Sequence, residues 1–394
     1  MGEEESLVEK RQYLMLPGPT PVPPRLLRAM AKPAINHRGP EFKALYAEVT
    51  EGLKEVFRTK NDVIIYTASG TGAMEAAVAN FISPGDKVLV VSIGVFGNRF
   101  AAIAERFGAQ VEKLEFTWGT AADPDALAER IKADEKKEIK AVLVTHNETS
   151  TGVTNDLKAL REAVGDHPAL FIVDSVSGLG AMELETDAWN LDVVVAGSQK
   201  SFMIPPGLSF MAVGPRAWEA KKKCKNACFY WDIEAARKSG EKGQTPFTPA
   251  IPQIEALAEA LEMMREEGLE NIFARHRLLR DMTRQGIKAM GLKPLAADDV
   301  ASPAVTAVLA PEGIEANAIR KVLLNEFNVV VAGGQQSLDN KIFRIGHLGN
   351  VGELEIIAVL AALEMALNRC GFKVELGVGV RAAQEVVMKG GADD

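Results

Sequence analysis

The sequence predicts an α/β protein: a mostly parallel, doubly wound sheet in a large domain, followed by a smaller C-terminal α+β domain. Three observations predict it. Apolar runs of strand length, without polar alternation, alternate with helical patterns through about the first 215 residues. That is the signature of a parallel sheet covered on both faces. After about residue 250 the alternation stops, and a long helical stretch leads into a shorter mixed pattern. Finally, 394 residues are too many for one ordinary core.

The strands and helices follow in order. "DVIIYTAS" (62–69) reads as a strand and "TGAMEAAVANFI" as a helix; "DKVLVVS" (86–92) is a strand and "FGNRFAAIAERFG" a helix. "AQVEKLEF" and "DPDALAERIKA" form the next pair, then "IKAVLVTH" (139–146) and "DLKALREAV". "ALFIVDS" (169–175), "LDVVVAGS" (191–198) and "LSFMAVG" (208–214) complete the first sheet. Residues 253–291 are expected to be helical, after a Pro-, Gly- and Thr-rich connector, "KSGEKGQTPFTPAIPQ". "AVTAVLA", "EANAIRKVLLNEF", "VVVAGG", "KIFRIG" and a helix from about Val351 to Cys370 make the second unit. The opening "LPGPTPVPPRLL" is extended by its prolines and expected to run over a surface. The tail after Phe372 reads as a late strand and a fraying helix. The expected division is an N-terminal extended segment, 1–22, a large domain, 23–265, and a small domain, 266–394.

A net charge of −8 points away from nucleic acid and anionic membranes as partners. No apolar run is long enough to cross a bilayer, and "MGEEES" lacks a hydrophobic signal core. The start does match a myristoylation pattern at Gly2 and Ser6, but Glu3 to Glu5 oppose an anionic surface. Cys224, Cys228 and Cys370 form neither a C-x-x-C pair nor a disulfide framework, so a reducing, cytoplasmic setting is expected.

Ligands of open α/β sheets sit beyond the carboxyl ends of the strands. After the first strand, Ser69, Gly70 and Thr71 open a helix, either as a phosphate cradle or as an ordinary N-cap. After the second, Phe96 offers a flat ring, for stacking on a ligand or for the core. After the fourth, Glu148 to Thr151 form a polar cluster, a ligand contact or a solvated turn. Asp174 ends an all-apolar strand, where a carboxylate is costly unless paired. Lys200, 26 residues on, follows "VVVAGS" and either snorkels to solvent or has a lowered pKa and attacks a carbonyl. One ligand needs a phosphate cradle, a stacking ring, a carboxylate and an amine together: pyridoxal phosphate.

"IVDSVSGLG…VVVAGSQK…PPG", with "LPGPTPVP", "NHRGPEF", "TASGTGAMEAA", "NETSTGV", "TPFTPAIP" and "FRIGHLG", resembles the class V, fold-type I pyridoxal-phosphate aminotransferases. The alanine/serine–glyoxylate (serine–pyruvate) group is the best match, from about Leu14 to Cys370. The resemblance implies that Lys200 bonds the cofactor aldehyde and Asp174 pairs with the pyridine nitrogen. Val176 then packs on the ring face opposite Phe96. Ser69, Gly70, Thr71 and Gln199 bind phosphate, and Ser150 lies near the ring hydroxyl. Thr248 reaches the phosphate of the other subunit of a homodimer. Arg344 clamps the substrate carboxylate, with Gly18 in a loop at the mouth. A family member differs by a tryptophan at the place of Phe96, a histidine at that of Thr71 and a tyrosine near that of Thr245.

The implied reaction is transamination between a small amino acid (alanine or serine) and a small 2-oxo acid (glyoxylate or pyruvate). A cysteine desulfurase or other β-lyase on the same fold is the nearer alternative, although such relatives usually carry histidines at the places of Gln199 and Phe96. A nicotinamide-dependent dehydrogenase would need a full glycine fingerprint and an acid ending the second strand, which instead reads "VVSIG". A non-catalytic binding module would have no use for both Asp174 and Lys200.

Overall fold

The computed structural model describes residues 11–390. Gly2 and Ser6 of the myristoylation pattern, and the last four residues, lie outside them. The larger sheet has seven strands in the order Asp62–Tyr66, Ser209–Val213, Val193–Gly197, Leu170–Asp174, Ile139–Thr145, Lys87–Ser92 and Gln110–Glu115. Only Ser209–Val213 runs against its neighbours.

Side chains alternate across each strand, and both faces are apolar. Leu89, Val91, Val142, Val144, Phe171 and Val173 pack on one side with the helices Pro40–Phe57 and Ile251–Glu267. Val88, Val90, Leu143, Ile172, Val193 and Val195 pack on the other with Gly70–Phe81 and Val95–Arg106. This is why the strands read as unbroken apolar runs. Helix starts follow local chemistry. Asp123 accepts from the Asp125 N–H at 2.9 Å, with Pro124 in the first turn. Asp156 accepts from the Ala159 N–H at 2.9 Å.

The second sheet has the order Tyr13–Met15, Val329–Gly333, Ile342–Gly346, Val305–Leu309 and Lys293–Pro294. Its core joins Phe343, Ile345, Val329 and Val331 to Leu279 and Met282 on one helix and to Leu360 and Leu363 on another.

Two expectations need correction. The opening stretch 16–27 is not simply extended over a surface: Pro17, Thr20, Pro23 and Leu26 are buried, Pro24–Met30 is a helix, and just before it Tyr13–Met15 pairs in parallel with Val329–Val331. Its apolar residues find an edge strand that local pattern cannot reveal. The 253–291 stretch is helical as expected, in two helices, Ile251–Glu267 and Leu269–Ala289, that meet at Gly268. Among its described residues the tail forms no strand; Val378–Gly390 is a helix on Leu269–Ala289, where Gly286 and Gly379 let the two backbones meet. The buried Glu364 accepts the Gly377 and Gly379 N–H groups at 2.6 and 2.7 Å and so fixes where that helix begins. No helix among the described residues is long and apolar enough to cross a membrane.

Candidate active site

The parallel strands end at one edge of the large sheet, and their last residues meet there. Asp174 stands opposite Thr145 and Val195 in the ladder and is buried. Val176 donates its backbone N–H to Asp174 Oδ1 at 2.9 Å. Burial pushes the Asp174 carboxyl up to about 6. The Val176 bond and the charges of Arg99 and Lys200 oppose that rise, and Glu148 adds to it.

Lys200 does not snorkel. It is 8% exposed, and its ammonium donates to the carbonyl of Pro17 at 2.5 Å. Burial brings its pKa down to about 8, with Asp174 opposing and Arg344 and Arg99 reinforcing. Gly18 has φ +110, a region that favours glycine, and an added methyl would stand 2.5–2.7 Å from Cδ, Cε and Nζ of Lys200. The turn is held from behind by Thr20, whose hydroxyl donates to Lys200 O at 3.0 Å.

Ser69 precedes the helix Gly70–Phe81 without making a side-chain cap bond, so its hydroxyl stays available. A methyl at Gly70 would lie 2.7–2.8 Å from the Val176 side chain, so only glycine lets the helix start reach this strand end. Gln199 buries its side-chain oxygen position without a partner. Turned over, the same amide offers an N–H to an anion.

Phe96 lies in the first turn of Val95–Arg106. The carboxylate of Glu148 holds that turn, accepting the Phe96 and Gly97 N–H groups at 3.0 and 3.2 Å. Glu148 also accepts the Ser150 hydroxyl at 2.5 Å, and Ser150 Oγ accepts the Val95 N–H at 3.0 Å. Ser150 therefore has spent its proton and can only accept from a ligand hydroxyl. The polar cluster is thus a buried scaffold rather than a solvated turn.

Arg344 is not an exposed strand arginine. It is 6% exposed, donating to Gly333 O at 2.8 Å and Thr149 O at 2.9 Å. Burial lowers its pKa to about 10. No carboxylate among the described residues forms an ion pair with it. Thr248 stands apart, exposed on the connector beside Phe247.

Arg99 and the Pro17 carbonyl escape the sequence reading. Arg99 has a signal there, since it follows Phe96 by three positions and shares its helix face. Pro17 has none, because its contact spans 183 positions.

The residues present fit pyridoxal phosphate: an uncapped helix start, a buried amide oxygen without a partner, a buried acid and a desolvated amine converge at one edge. Fold and site together define a fold-type I enzyme of that cofactor. The chain belongs to the aminotransferase class V family, whose model matches residues 12–349, and it is a pyridoxal-phosphate-dependent transaminase. It is 48% identical over 381 residues to a protein of Anabaena cylindrica named soluble hydrogenase 42 kDa subunit, covering 96% of this chain and 99% of that one. It is 41% identical over 382 residues to the serine–glyoxylate aminotransferase of Methylorubrum extorquens, covering 95% of each. Among solved structures, the ureidoglycine–glyoxylate aminotransferase of Bacillus subtilis superposes with a TM-score of 0.90 at 35% identity, covering 98% of this chain and all of that one.

Asp174 yields a prediction about the cofactor-free protein. Its folded pKa of about 6 lies above the ordinary 3.8, so burying the anion costs stability above pH 6. That cost fades as pH falls and is gone below about pH 4. A tenfold change in proton affinity is worth about 1.4 kcal/mol, so Asp174→Asn is expected to stabilise the apoprotein at pH 7 by about 3 kcal/mol. The gain should disappear near pH 4. Urea unfolding at both pH values checks this, and a variant no more stable at pH 7 contradicts it.

Proposed function

We propose that this enzyme moves an amino group between a small amino acid, alanine or serine, and a small 2-oxo acid, glyoxylate or pyruvate. The observation that carries the substrate class is Arg344: a buried guanidinium, fixed by two backbone carbonyls, with no carboxylate of the described chain paired to it. A planar fork so placed suits an α-carboxylate. Glyoxylate appears in the names of both the Methylorubrum and the Bacillus relatives, and supports the choice of acceptor.

In this reading Ser69, Gly70, Thr71 and Gln199 would hold the cofactor phosphate, and Phe96 and Val176 would pack against its ring. Ser150 accepts from the ring hydroxyl, and Glu148 fixes both Phe96 and Ser150. When bound, pyridoxal phosphate supplies a cationic conjugated ring that takes up the electron pair of the broken Cα–H bond. Asp174 keeps the ring nitrogen protonated, and the proton in turn relieves the cost of the buried carboxylate. Lys200 Nζ would hold the cofactor's aldehyde. As a free amine it would act as the base that takes the substrate α-proton and as the acid that returns it. A pKa near 8 leaves the amine close enough to neutral to serve as base. Gly18 leaves room for that nitrogen to move.

The active unit is a homodimer in the same reading, with Thr248 contributing to the partner's phosphate site. Phe229 is 81% exposed and Phe247 stacks on Tyr230 at 5.1 Å, an aromatic patch beside Thr248 of the kind a subunit interface covers. The division into residues 1–22, 23–265 and 266–394 belongs to this reading too. So does a cytoplasmic location, consistent with three free cysteines.

The test is a panel of amino donors against glyoxylate, pyruvate and 2-oxoglutarate. Alanine or serine with glyoxylate or pyruvate is expected to exceed any pair with 2-oxoglutarate by at least about tenfold in kcat/KM, since a second buried carboxylate without a partner costs more than about 1.4 kcal/mol. A preference for 2-oxoglutarate overturns the substrate class. A sedimenting monomer with full activity removes Thr248 from its place.

A further inference from the structure

We propose that Arg99 is the cation that neutralises the cofactor's phosphate, an assignment that rests on the pyridoxal-phosphate reading above. Arg99 lies one helical turn after Phe96, and its guanidinium carbon is 4.6 Å from the centre of that ring. From there Nη1 donates to Thr71 Oγ1 at 3.3 Å, in the first turn of the helix that opens the cradle. The side chain thus bridges from the ring shelf to the place where the phosphate is held.

Its charge is uncommitted. Among the described residues no carboxylate forms an ion pair with Arg99, and its polar contact is one long bond to a hydroxyl. A guanidinium has five N–H donors, so most of them remain for a ligand. The charge also reaches the site: it lowers the pKa of both Asp174 and Lys200.

The cradle needs such a charge. A phosphate monoester carries about −1.5 to −2 at pH 7. Ser69, Gly70, Thr71 and Gln199 supply only neutral donors and a helix N-terminus. Two buried acids, Glu148 and Asp174, already face the same space. Lys200 is assigned to the aldehyde, and Arg344 is tied to Gly333 and Thr149. Arg99 remains as the cation in contact with the cradle. Arginine suits the task, since its fork matches phosphate oxygens in pairs.

The test compares pyridoxal phosphate with pyridoxal, which has the same ring and aldehyde but no phosphate. Apoprotein of the wild type, Arg99→Met and Arg99→Lys is titrated with each, reading ring absorbance. The wild type is expected to bind pyridoxal phosphate more tightly than pyridoxal. Arg99→Met is expected to lose about 10- to 100-fold for pyridoxal phosphate, the range of a charged hydrogen bond. Its affinity for pyridoxal should stay within about threefold, and Arg99→Lys should recover part of the loss. Equal losses for both ligands would make Arg99 a prop for Phe96 and overturn the assignment, as would no loss for either. Should Arg99→Met fail to fold, Arg99→Lys decides: an unchanged ratio of the two affinities with reduced binding of both refutes the phosphate role. A wild-type apoprotein that takes up neither ligand sinks the cofactor reading itself, and Arg99 with it.

Discussion

Lys200→Ala is expected to lower the rate of transamination by at least about ten-thousand-fold, the upper range for a positioned acid–base group, with the covalent anchor lost as well. The reason lies in how the amine is made. The strand Val193–Gly197 is buried on both faces, so the turn that follows delivers Lys200 into a desolvated space. There the amine is brought to about pH 8 and points at Pro17 O. The variant should keep its fold, because the folded state at pH 7 carries the cost of a buried ammonium. That cost is present below about pH 8 and is lost as pH rises towards the ordinary value of 10.5. Removing the group removes the cost. Stopped assays over hours, with circular dichroism as the fold control, check this. More than about one per cent of wild-type activity would take Lys200 out of the chemistry.

The second large effect is expected at Arg344. Removing one partner of a buried, hydrogen-bonded charge pair costs about 2–5 kcal/mol. Arg344→Ala should therefore reduce kcat/KM for alanine or serine by about thirty- to several-thousand-fold, mostly through KM. A structural effect is separated by a second substrate, alaninamide, in which a neutral amide replaces the carboxylate. The wild type should strongly prefer alanine over alaninamide, and Arg344→Ala should lose that preference. Arg344→Lys should regain only part, since a point charge cannot repeat the two-pronged contact. If the alanine-to-alaninamide ratio does not move, Arg344 acts on something other than the carboxylate.

These two residues differ in how legible they are. Lys200 is legible only as one of a set at the strand ends, since alone a lysine after "VVVAGS" reads as well as one that snorkels to solvent. Asp174 is legible for the same reason, as an acid closing "LFIV". Arg344 follows "KIF" and looks like any strand arginine; only the likeness of "FRIGHLG" to a family marks it, and the fold supplies its burial. Strands and helices with a strong period are readable because side-chain alternation and helical spacing are local. Tyr13–Met15 is not, because its strand partner begins at Val329, more than three hundred positions away. Glu148 reads as part of a polar loop. Its actual task, closing the start of the helix that carries Phe96, depends on a neighbouring strand end that no local pattern encodes.

The Tyr13–Met15 strand has a consequence for synthesis on the ribosome. By the time the lysine turn emerges, the segment that supplies its carbonyl contact has long been made, but the strand that Tyr13–Met15 pairs with has not. Its berth, Val329–Val331, is translated about 130 residues later than Lys200. A nascent chain arrested after Val213 and before Val329 holds every residue of the large sheet but lacks the strand that Tyr13–Met15 pairs with. The strand on the far side of the Pro17 contact to Lys200 is therefore completed only from the last third of the message.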